Sequence, residues 1–286
     1  MMIAKPDFFL NLASNFRFHA RSEDYFNSLE SNLLSTVDQF HSRTSGDELF
    51  FAELGVIRFP FFEMGQIDSA KLFGLDELII FSYYYANRSR YKKTLDLGAN
   101  IGLHTLVMKK LGFQVTSYEP DLVHLAQIKK VMKLNSIGTD GLIPRAMSDK
   151  RGTMEYIRIL GNTTGSHLLG SKEEVYGATE IVSVEVDDIL EVLSQGKFDF
   201  VKMDVEGHEV VLLNRITAQS IATTDIMLEI GSEKNAKDIF RILSDKNIPA
   251  YAQKINWSRV EKLDDLPSHH THGSLFLSMQ GPPNWN

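Results

Sequence analysis

An aspartate and two glycines follow an apolar run in TLDLGANIGLHT, residues 94–105. Asp96 opens the turn, and Gly98, Asn100 and Gly102 follow it at every second position. Glycines between a strand and a helix let the backbone turn tightly and leave space for a ligand that lies against it. The pattern therefore predicts a cofactor-binding turn between a first strand and a first helix.

The residues that this turn lacks argue against two classes of phosphate-containing cofactor. The dinucleotide fingerprint G-x-G-x-x-G would need glycines at the positions of Asn100 and Leu103. A phosphate-binding loop would close with G-K-[ST], whereas Leu103 and His104 follow the last glycine. The acidic Asp96 disfavours a phosphate but can accept hydrogen bonds from an ammonium group. The turn therefore favours a cofactor with an amino-acid end.

A second acidic residue indicates the other end of that cofactor. Glu119 stands in YEPD at the tip of the predicted second strand, where an acid can bind both hydroxyls of a ribose. A ribose and an ammonium group, with no phosphate clamp, describe S-adenosylmethionine. The alternative for Glu119 alone is an idle, solvated acid at the end of a strand.

The stretch VKMDVEGHE crowds polar residues at the end of the predicted fourth strand: Lys202, Asp204, Glu206, His208 and Glu209. In an open α/β sheet that end of the strand faces the ligand crevice. Strand alternation places Lys202 and Asp204 on one side. An alternative role for Glu206 is to cap the next helix, whose dipole favours an acid there. The stretch predicts catalytic groups beside the cofactor.

The elements that must position these residues alternate between strands and helices from Lys93 onward. Such alternation predicts a mostly parallel sheet with helices on both faces. LIPRAM, residues 142–147, is predicted as one short strand. The chain ends with two strands and no helix between them, so the last strand is expected to run antiparallel.

Residues 1–90 are interpreted as a mostly helical N-terminal cap or arm, and residues 91–286 as the ligand-binding domain. Within the arm, one strand is expected over residues 50–60, followed by helical spacing that breaks at Gly74. Composition does not distinguish a lid from a dimer contact. A homo-oligomer formed through the arm is therefore one expectation.

The composition excludes several classes of protein. The chain has 286 residues, a formal net charge of -7 and no long basic run, which argues against nucleic-acid or anionic-membrane partners. It has no cysteine, so disulfides, thiolate metal sites and cysteine nucleophiles are excluded. No apolar segment is long enough for a secretory signal or a membrane span. We expect a soluble cytoplasmic protein.

The motifs LDLGANIG, YEPD, VKMDVEGHE and MLEI, with Asn135 between them, resemble those of the FkbM family of class I methyltransferases. The resemblance covers residues 77–279. It implies a Rossmann-like α/β fold with a seven-stranded sheet of order 3-2-1-4-5-7-6 and strand 7 antiparallel. It also implies S-adenosylmethionine as the methyl donor, S-adenosylhomocysteine as the product, and an oxygen on a small molecule, sugar or polysaccharide as the acceptor.

The resemblance also implies roles for individual residues. The methionine end of the cofactor is expected to contact the first motif and the residue one helical turn further on: Asp96, Gly98, Asn100, Gly102 and Thr105. The ribose and adenine are expected to contact Glu119, Pro120, Met147, Ser148 and Asp149. Asp204 is expected to touch both cofactor and acceptor. Glu77 lies close to where the family often has a glutamate, with a surface helix acid as the alternative.

Methyl transfer is an in-line displacement, in which an acceptor hydroxyl also has to lose its proton. Asp204 and His208 are both candidates for the base. Glu206, Glu229 and His270 are candidate acceptor contacts, the last from the loop SHHTHG. A divalent metal held by Asp204, Glu206 and Glu229 is an alternative, but we predict none.

Two further alternatives remain for the sequence as a whole. An NAD(P)-dependent oxidoreductase is disfavoured by the missing third glycine and by the antiparallel ending. A non-catalytic binding protein with the same fold is disfavoured by the acids at the strand ends. The loop over residues 161–177 is long and rich in small polar groups, which is typical of an acceptor-binding loop or of a mobile surface loop.

Overall fold

The computed structural model describes residues 7–31, 48–172 and 177–285. The N-terminal region contains α1 (Phe8–Ser14), α2, which includes residues 24–31, the antiparallel hairpin of β1 (Glu48–Phe51) and β2 (Gly55–Arg58), and α3 (Leu75–Ala86). The prediction of a single strand over residues 50–60 is wrong. The chain reverses before Gly55, whose φ of 70° is a turn conformation. The predicted break at Gly74 is confirmed, since α3 begins after it.

An eight-stranded sheet forms the centre of the molecule. Its strands in spatial order are β13 (Ser258–Arg259), β12 (Ala250–Ala252), β14 (Ser274–Leu277), β11 (Asp225–Glu229), β10 (Phe200–Met203), β3 (Lys93–Leu97), β4 (Gln114–Tyr118) and β5 (Leu142–Ile143). β14 runs antiparallel to both of its neighbours, while β5, β4, β3, β10 and β11 are parallel. The expected order and the antiparallel last strand are confirmed, and β13 adds an eighth strand at one edge.

A second sheet contains four strands in the order β6 (Ala146–Ser148), β9 (Thr179–Asp188), β7 (Gly152–Ile159) and β8 (His167–Leu168). The prediction of one strand over LIPRAM is wrong because residues 142–143 pair with β4 and residues 146–148 with β9. Pro144 lies between the two pairings and has no N–H group for a ladder. The chain therefore leaves the main sheet at this proline.

Five more α-helices accompany the strands: α4 (Leu103–Lys110), α5 (Leu122–Leu134), α6 (Ile189–Gly196), α7 (Glu209–Arg215) and α8 (Glu233–Asp245). Asp121, Asp188 and Ser232 begin α5, α6 and α8 by accepting a backbone N–H bond, as N-cap residues do. Short 3-10 helices lie at Phe16–Phe18, Ser69–Phe73, Thr163–Gly165, Gln219–Ile221, Gln253–Ile255, Leu263–Asp265 and His270–His272.

Two apolar cores lie on opposite faces of the main sheet. Phe200 and Met227 point to the core that contains α1, α3, α4 and α5. Val201 and Leu228, their neighbours along the strands, point to the core that contains α6, α7 and α8. Alternate residues of a strand face opposite sides, so the sheet lies between two helical layers.

The N-terminal region shares the first of these cores. Phe9 and Phe51 stack with ring centroids 5.5 Å apart. Asn135, which follows α5, accepts a hydrogen bond from Arg58 N at 2.9 Å and donates one to Arg58 O at 2.7 Å. The division into residues 1–90 and 91–286, and a homo-oligomer formed through the former, stay predictions. No helix in the described ranges is long and apolar enough to cross a bilayer.

Candidate active site

A cleft of about 600 Å³ opens at the carboxyl ends of β3, β4 and β10. The predicted site residues on its wall are Gly98, Asn100, Glu119, Pro120, Met147, Asp204, Glu206 and His208. Residues that were not predicted as site residues also line it: Tyr118, His124, Ala146, Tyr156, Thr163, Thr164, Ser166, His167, Leu168 and Val205. The ends of β3, β4 and β10 therefore bring the motifs LDLGANIG, YEPD and VKMDVEGHE to one place.

Gly98 sets the distance between two of these strand ends. Its φ is 78°, and a Cβ on it would overlap the carbonyl oxygen of Asp204. The glycine is therefore required by the close approach of two main chains, more than by space for a ligand. Gly102, with φ of 91°, faces the side chain of Ile128 and lies behind the cleft wall.

Asp96 is fully buried and only half satisfied. Its Oδ2 accepts a hydrogen bond of 2.6 Å from Thr105 Oγ1, which also contacts Ser117 Oγ at 2.8 Å. Its Oδ1 is buried and has no partner within the described part of the chain. Thr105 thus orients the aspartate instead of lining the cleft. An unsatisfied buried carboxylate oxygen is costly unless a ligand donates to it, so Asp96 fits an ammonium group.

Glu119 holds its carboxylate with backbone donors. Asn100 N donates to Oε2 at 2.8 Å and Asp121 N to Oε1 at 2.9 Å. Burial raises the pKa of Glu119 to about 8, although these two donors act in the opposite direction. Each carboxylate oxygen has a second lone pair, so the carboxylate can still accept two hydroxyl groups of a ligand.

Lys202 and Asp204 form an ion pair at the end of β10, with Nζ to Oδ2 at 3.0 Å. Burial lowers the pKa of Lys202, but the charges of Asp204, Asp96 and Glu77 outweigh burial and raise it. Burial raises the pKa of Asp204, but Lys202 and other positive groups outweigh it and hold that pKa below its usual value. Asp204 is therefore ionised at neutral pH, with one oxygen held by Lys202.

The alternative prediction that Glu206 caps the following helix is wrong, because the N-cap position of α7 is His208. It has a left-handed φ of 55° and forms an ion pair with Lys172. Glu209 instead accepts a hydrogen bond of 2.9 Å from Val205 N. Burial raises the pKa of Glu206, and Lys172 opposes this. Glu206 stays a candidate acceptor contact on the cleft wall.

Both ring nitrogens of His208 are engaged by hydroxyl groups. Nε2 lies 3.1 Å from Ser148 Oγ and Nδ1 lies 2.9 Å from Ser171 Oγ. Burial lowers the pKa of His208 to about 4, although Asp149 opposes this. Both ring nitrogens of this neutral imidazole are therefore occupied, whereas the contact of Asp204 with Lys202 uses its Oδ2. The geometry therefore favours Asp204 over His208 as the base.

Glu77 and Glu229 carry further carboxylates near Asp204. Glu77 Oε2 lies 2.7 Å from His104 Nε2, and Tyr84 OH lies 2.9 Å from His104 Nδ1. Burial raises the pKa of Glu229 well above its usual value, and the charges of Asp204 and Glu77 add to this. Glu229 is half-buried at the end of β11 and is not among the described residues that line the cleft.

The loop that follows β7 lines the cleft on the side of Glu119. Thr163 Oγ1 lies 2.9 Å from His124 Nε2, and His124 Nδ1 lies 3.9 Å from Glu119 Oε1. Burial lowers the pKa of His124 to about 4, so this ring is neutral. The sequence left residues 161–177 as either an acceptor-binding loop or a mobile surface loop, and nothing in the sequence of α5 singled out His124. Residues 173–176 lie outside the described residues.

Asp96, Ser148 and Asp149 are not among the described residues that line the cleft. Ser148 is buried against His208, and Asp149 is exposed. His270 begins a 3-10 helix, and its side chain lies outside the described residues. No group of three or more His, Asp or Glu side chains in the described ranges is arranged to hold a metal ion. Some of the residues predicted to bind the cofactor thus line the cleft, and the others lie behind its wall or outside it.

Comparison with known proteins gives a family match over this site. The model of the methyltransferase FkbM domain matches residues 96–247, which include Asp96, Glu119 and Asp204. Hexuronic acid methyltransferase AglP of Haloferax volcanii is 25% identical over 164 residues. That alignment covers 56% of this chain and 65% of the relative's length.

Similar solved structures include monomeric WbdD, with a TM-score of 0.39, 14% identity, and coverage of 71% of this chain and 40% of that chain. A SAM-dependent methyltransferase from Agrobacterium tumefaciens has a TM-score of 0.40, 10% identity, and coverage of 80% and 68%. These scores are too low to assign anything to individual residues. The family match, in contrast, spans more than half of the chain. The chain therefore belongs to the FkbM family of class I S-adenosylmethionine-dependent methyltransferases.

Proposed function

We propose that the chain transfers a methyl group from S-adenosylmethionine to a hydroxyl group of a sugar or another small hydroxylated acceptor. The observation that carries the proposal is a pair of buried carboxylates at neighbouring strand ends, Glu119 on the cleft wall and Asp96 at the end of β3. Asp96 Oδ1 has no partner among the described residues, and Glu119 is oriented by two backbone N–H groups. These acids suit the ammonium group and the ribose of the methyl donor.

The charges on the cleft wall support this cofactor over a dinucleotide. No lysine or arginine is among the described residues that line the cleft. A pyrophosphate binds most strongly to cations and to donors in a glycine-rich turn. Asn100 occupies the position of a fingerprint glycine, and its Oδ1 is a buried acceptor without a partner in the described ranges. An acceptor oxygen suits an ammonium group and opposes a phosphate.

The residues of the chain then have distinct tasks in methyl transfer. S-adenosylmethionine supplies a methyl group that is activated by its sulfonium. Asp96 and Asn100 hold the amino-acid end, and Glu119 accepts the ribose hydroxyls. Lys202 holds Asp204 Oδ2, so that Oδ1 can accept the proton of the acceptor hydroxyl. Most of the acceleration is expected from holding donor and acceptor in line.

We expect S-adenosylhomocysteine to bind the wild-type chain with micromolar affinity or tighter in isothermal titration calorimetry, and NAD to give no heat. Glu119→Gln is expected to weaken this binding, because an amide cannot accept both ribose hydroxyls. Glu185→Gln, an exposed acid on β9 that pairs with Arg145 at 2.8 Å, is the matched control. Binding of NAD without S-adenosylhomocysteine would favour the oxidoreductase, and unchanged binding by Glu119→Gln would contradict the proposed site.

The same titration has an expected pH dependence. The pKa of Glu119 is raised to about 8, so its carboxyl is largely protonated at pH 6.5 and ionised at pH 9. The ionised form accepts hydroxyl donors at both oxygens, so the Kd is expected to fall as pH rises through 8. Glu119→Gln removes this titration and gives the pH dependence of the ligand alone as a baseline.

We expect a neutral glycoside to be a better methyl acceptor than a uronic acid. The relative AglP is named for hexuronic acid, but the two lysines near this cleft are already paired, Lys202 with Asp204 and Lys172 with Glu206. A uronate carboxylate would meet acids without an unpaired cation among the described cleft residues. Transfer of labelled methyl groups to matched hexoses, hexuronates and amino sugars measures kcat/KM for each. A higher value for the uronate would contradict this assignment.

A further inference from the structure

A turn of the N-terminal region supports the loop that lines the nucleoside side of the cleft. Gln66 N donates to Gly161 O at 2.7 Å, and Thr163 N donates to Met64 O at 2.9 Å. These bonds form an antiparallel bridge between Gly65 and Asn162. No residue from 64 to 66 lines the cleft itself. The turn therefore contacts the cleft only through the loop.

The turn is itself fixed to the body of the protein. Met64 is buried in the core that also contains residues of α3 and α4, and its N–H donates to Ile67 O at 2.8 Å. Ser69 Oγ accepts a hydrogen bond from Phe62 N at 3.0 Å and lies 3.2 Å from Pro60 O. A rigid turn on a packed core can hold a loop in one position.

The loop transmits this position to the cleft. Thr163, whose N–H is bound by the turn, contacts His124 with its hydroxyl at 2.9 Å. His124 and Thr163 both line the cleft beside Glu119, the residue to which the proposed function gives the ribose. A displacement of the loop would thus move the wall around the nucleoside while leaving Asp96 in place.

Gly65 is the residue on which this contact depends. Its φ is 90°, and a Cβ on it would overlap the carbonyl group of Gly161 and lie 2.8 Å from Asn162 N. Both are backbone atoms, so a side chain at position 65 must push the loop away. Gly112, after α4, has nearly the same φ of 88° and nothing within 4 Å of a Cβ.

We infer that the turn at residues 64–66 is a positioning element for cofactor binding, and that Gly65 sets the position of the loop at residues 161–168 over the nucleoside. This inference rests on the proposed function. It gives the N-terminal region a part in the site other than that of a lid or a dimer contact. Gly65 touches no ligand and acts through Thr163 and His124.

The test compares Gly65→Ala with Gly112→Ala. Both variants place alanine in the left-handed region and share that backbone strain, but only the first displaces the loop. We expect Gly65→Ala to raise the Kd for S-adenosylhomocysteine by about tenfold or more, and Gly112→Ala to leave it unchanged. 5′-Methylthioadenosine, which lacks the amino-acid end, should lose affinity by the same factor. Equal Kd values for the two variants would overturn the inference.

A second measurement uses the wild-type chain and covers the case that Gly65→Ala does not fold. In hydrogen–deuterium exchange, S-adenosylhomocysteine is expected to protect the peptide that contains Gln66 as well as the peptide over residues 161–168. Protection of the second peptide alone would show that the turn does not position the loop. Failure of the wild type to bind S-adenosylhomocysteine would instead count against the proposed function.

Discussion

Asp204→Asn is expected to lower the kcat of methyl transfer by about 10²- to 10⁴-fold, the range that a general base contributes. An amide cannot accept the proton of the acceptor hydroxyl. The ion pair with Lys202 holds the pKa of Asp204 below its usual value, so the wild-type carboxylate is ionised throughout the neutral range. We therefore expect the wild-type rate to show no titration of Asp204 between pH 6 and 8.

His208→Gln is the matched comparison for this variant, because His208 lies on the same cleft wall. Its ring is already bound by Ser148 and Ser171, and burial lowers its pKa to about 4. We expect less than about a tenfold loss of kcat, well below the range of a general base. Single-turnover rates at saturating cofactor measure both variants. A loss confined to His208→Gln would identify the histidine as the base and contradict the assignment to Asp204.

Asp96→Asn is expected to weaken S-adenosylhomocysteine binding by about 10- to 100-fold, since a hydrogen bond to a charged group contributes about 1.5–3 kcal/mol. The amide oxygen can still accept from Thr105, but the other atom becomes a donor that opposes the ligand ammonium. 5′-Methylthioadenosine has no amino-acid end, so its affinity should not change. Calorimetry with both ligands separates the two ends of the site.

Asp149→Asn is the control for Asp96→Asn. Asp149 is an exposed acid that was also expected to contact the cofactor. Its substitution removes the same charge as Asp96→Asn, but at the surface of the protein. We expect no change in either affinity. If Asp96→Asn lowered the affinity for both ligands equally, Asp96 would stabilise the fold and not contact the ammonium group, which would contradict its assignment.

The parts of the site that the sequence predicted are local in the chain. Asp96, Glu119 and Asp204 each stand at or just after the end of a predicted strand, and parallel strands place their carboxyl ends together. The strand order followed from family resemblance and from the helix-free ending. Such features depend on neighbouring residues and on a few rules of topology, so they can be read without coordinates.

The other parts depend on contacts between distant segments. β7 and β9 pair across a long loop, and nothing in either strand specifies the other. His124 lies in a helix whose pattern indicates only burial, and Thr163 reaches it from the loop between β7 and β8. The hairpin of β1 and β2 was predicted as one strand because both halves are apolar, and periodicity does not show where a chain reverses.

The contact between Gly98 and the Asp204 carbonyl distinguishes substitutions that change the spacing of the two strand ends from substitutions that change only the side chains of the cleft. The spacing between the turn at Gly98 and the strand that carries Asp204, the proposed base, is set by main-chain atoms in direct contact. The side chain of Glu206, a proposed acceptor contact on the cleft wall, does not contribute to that spacing. Mutagenesis aimed at new acceptors can therefore change the mouth of the cleft while the distance that methyl transfer requires stays the same.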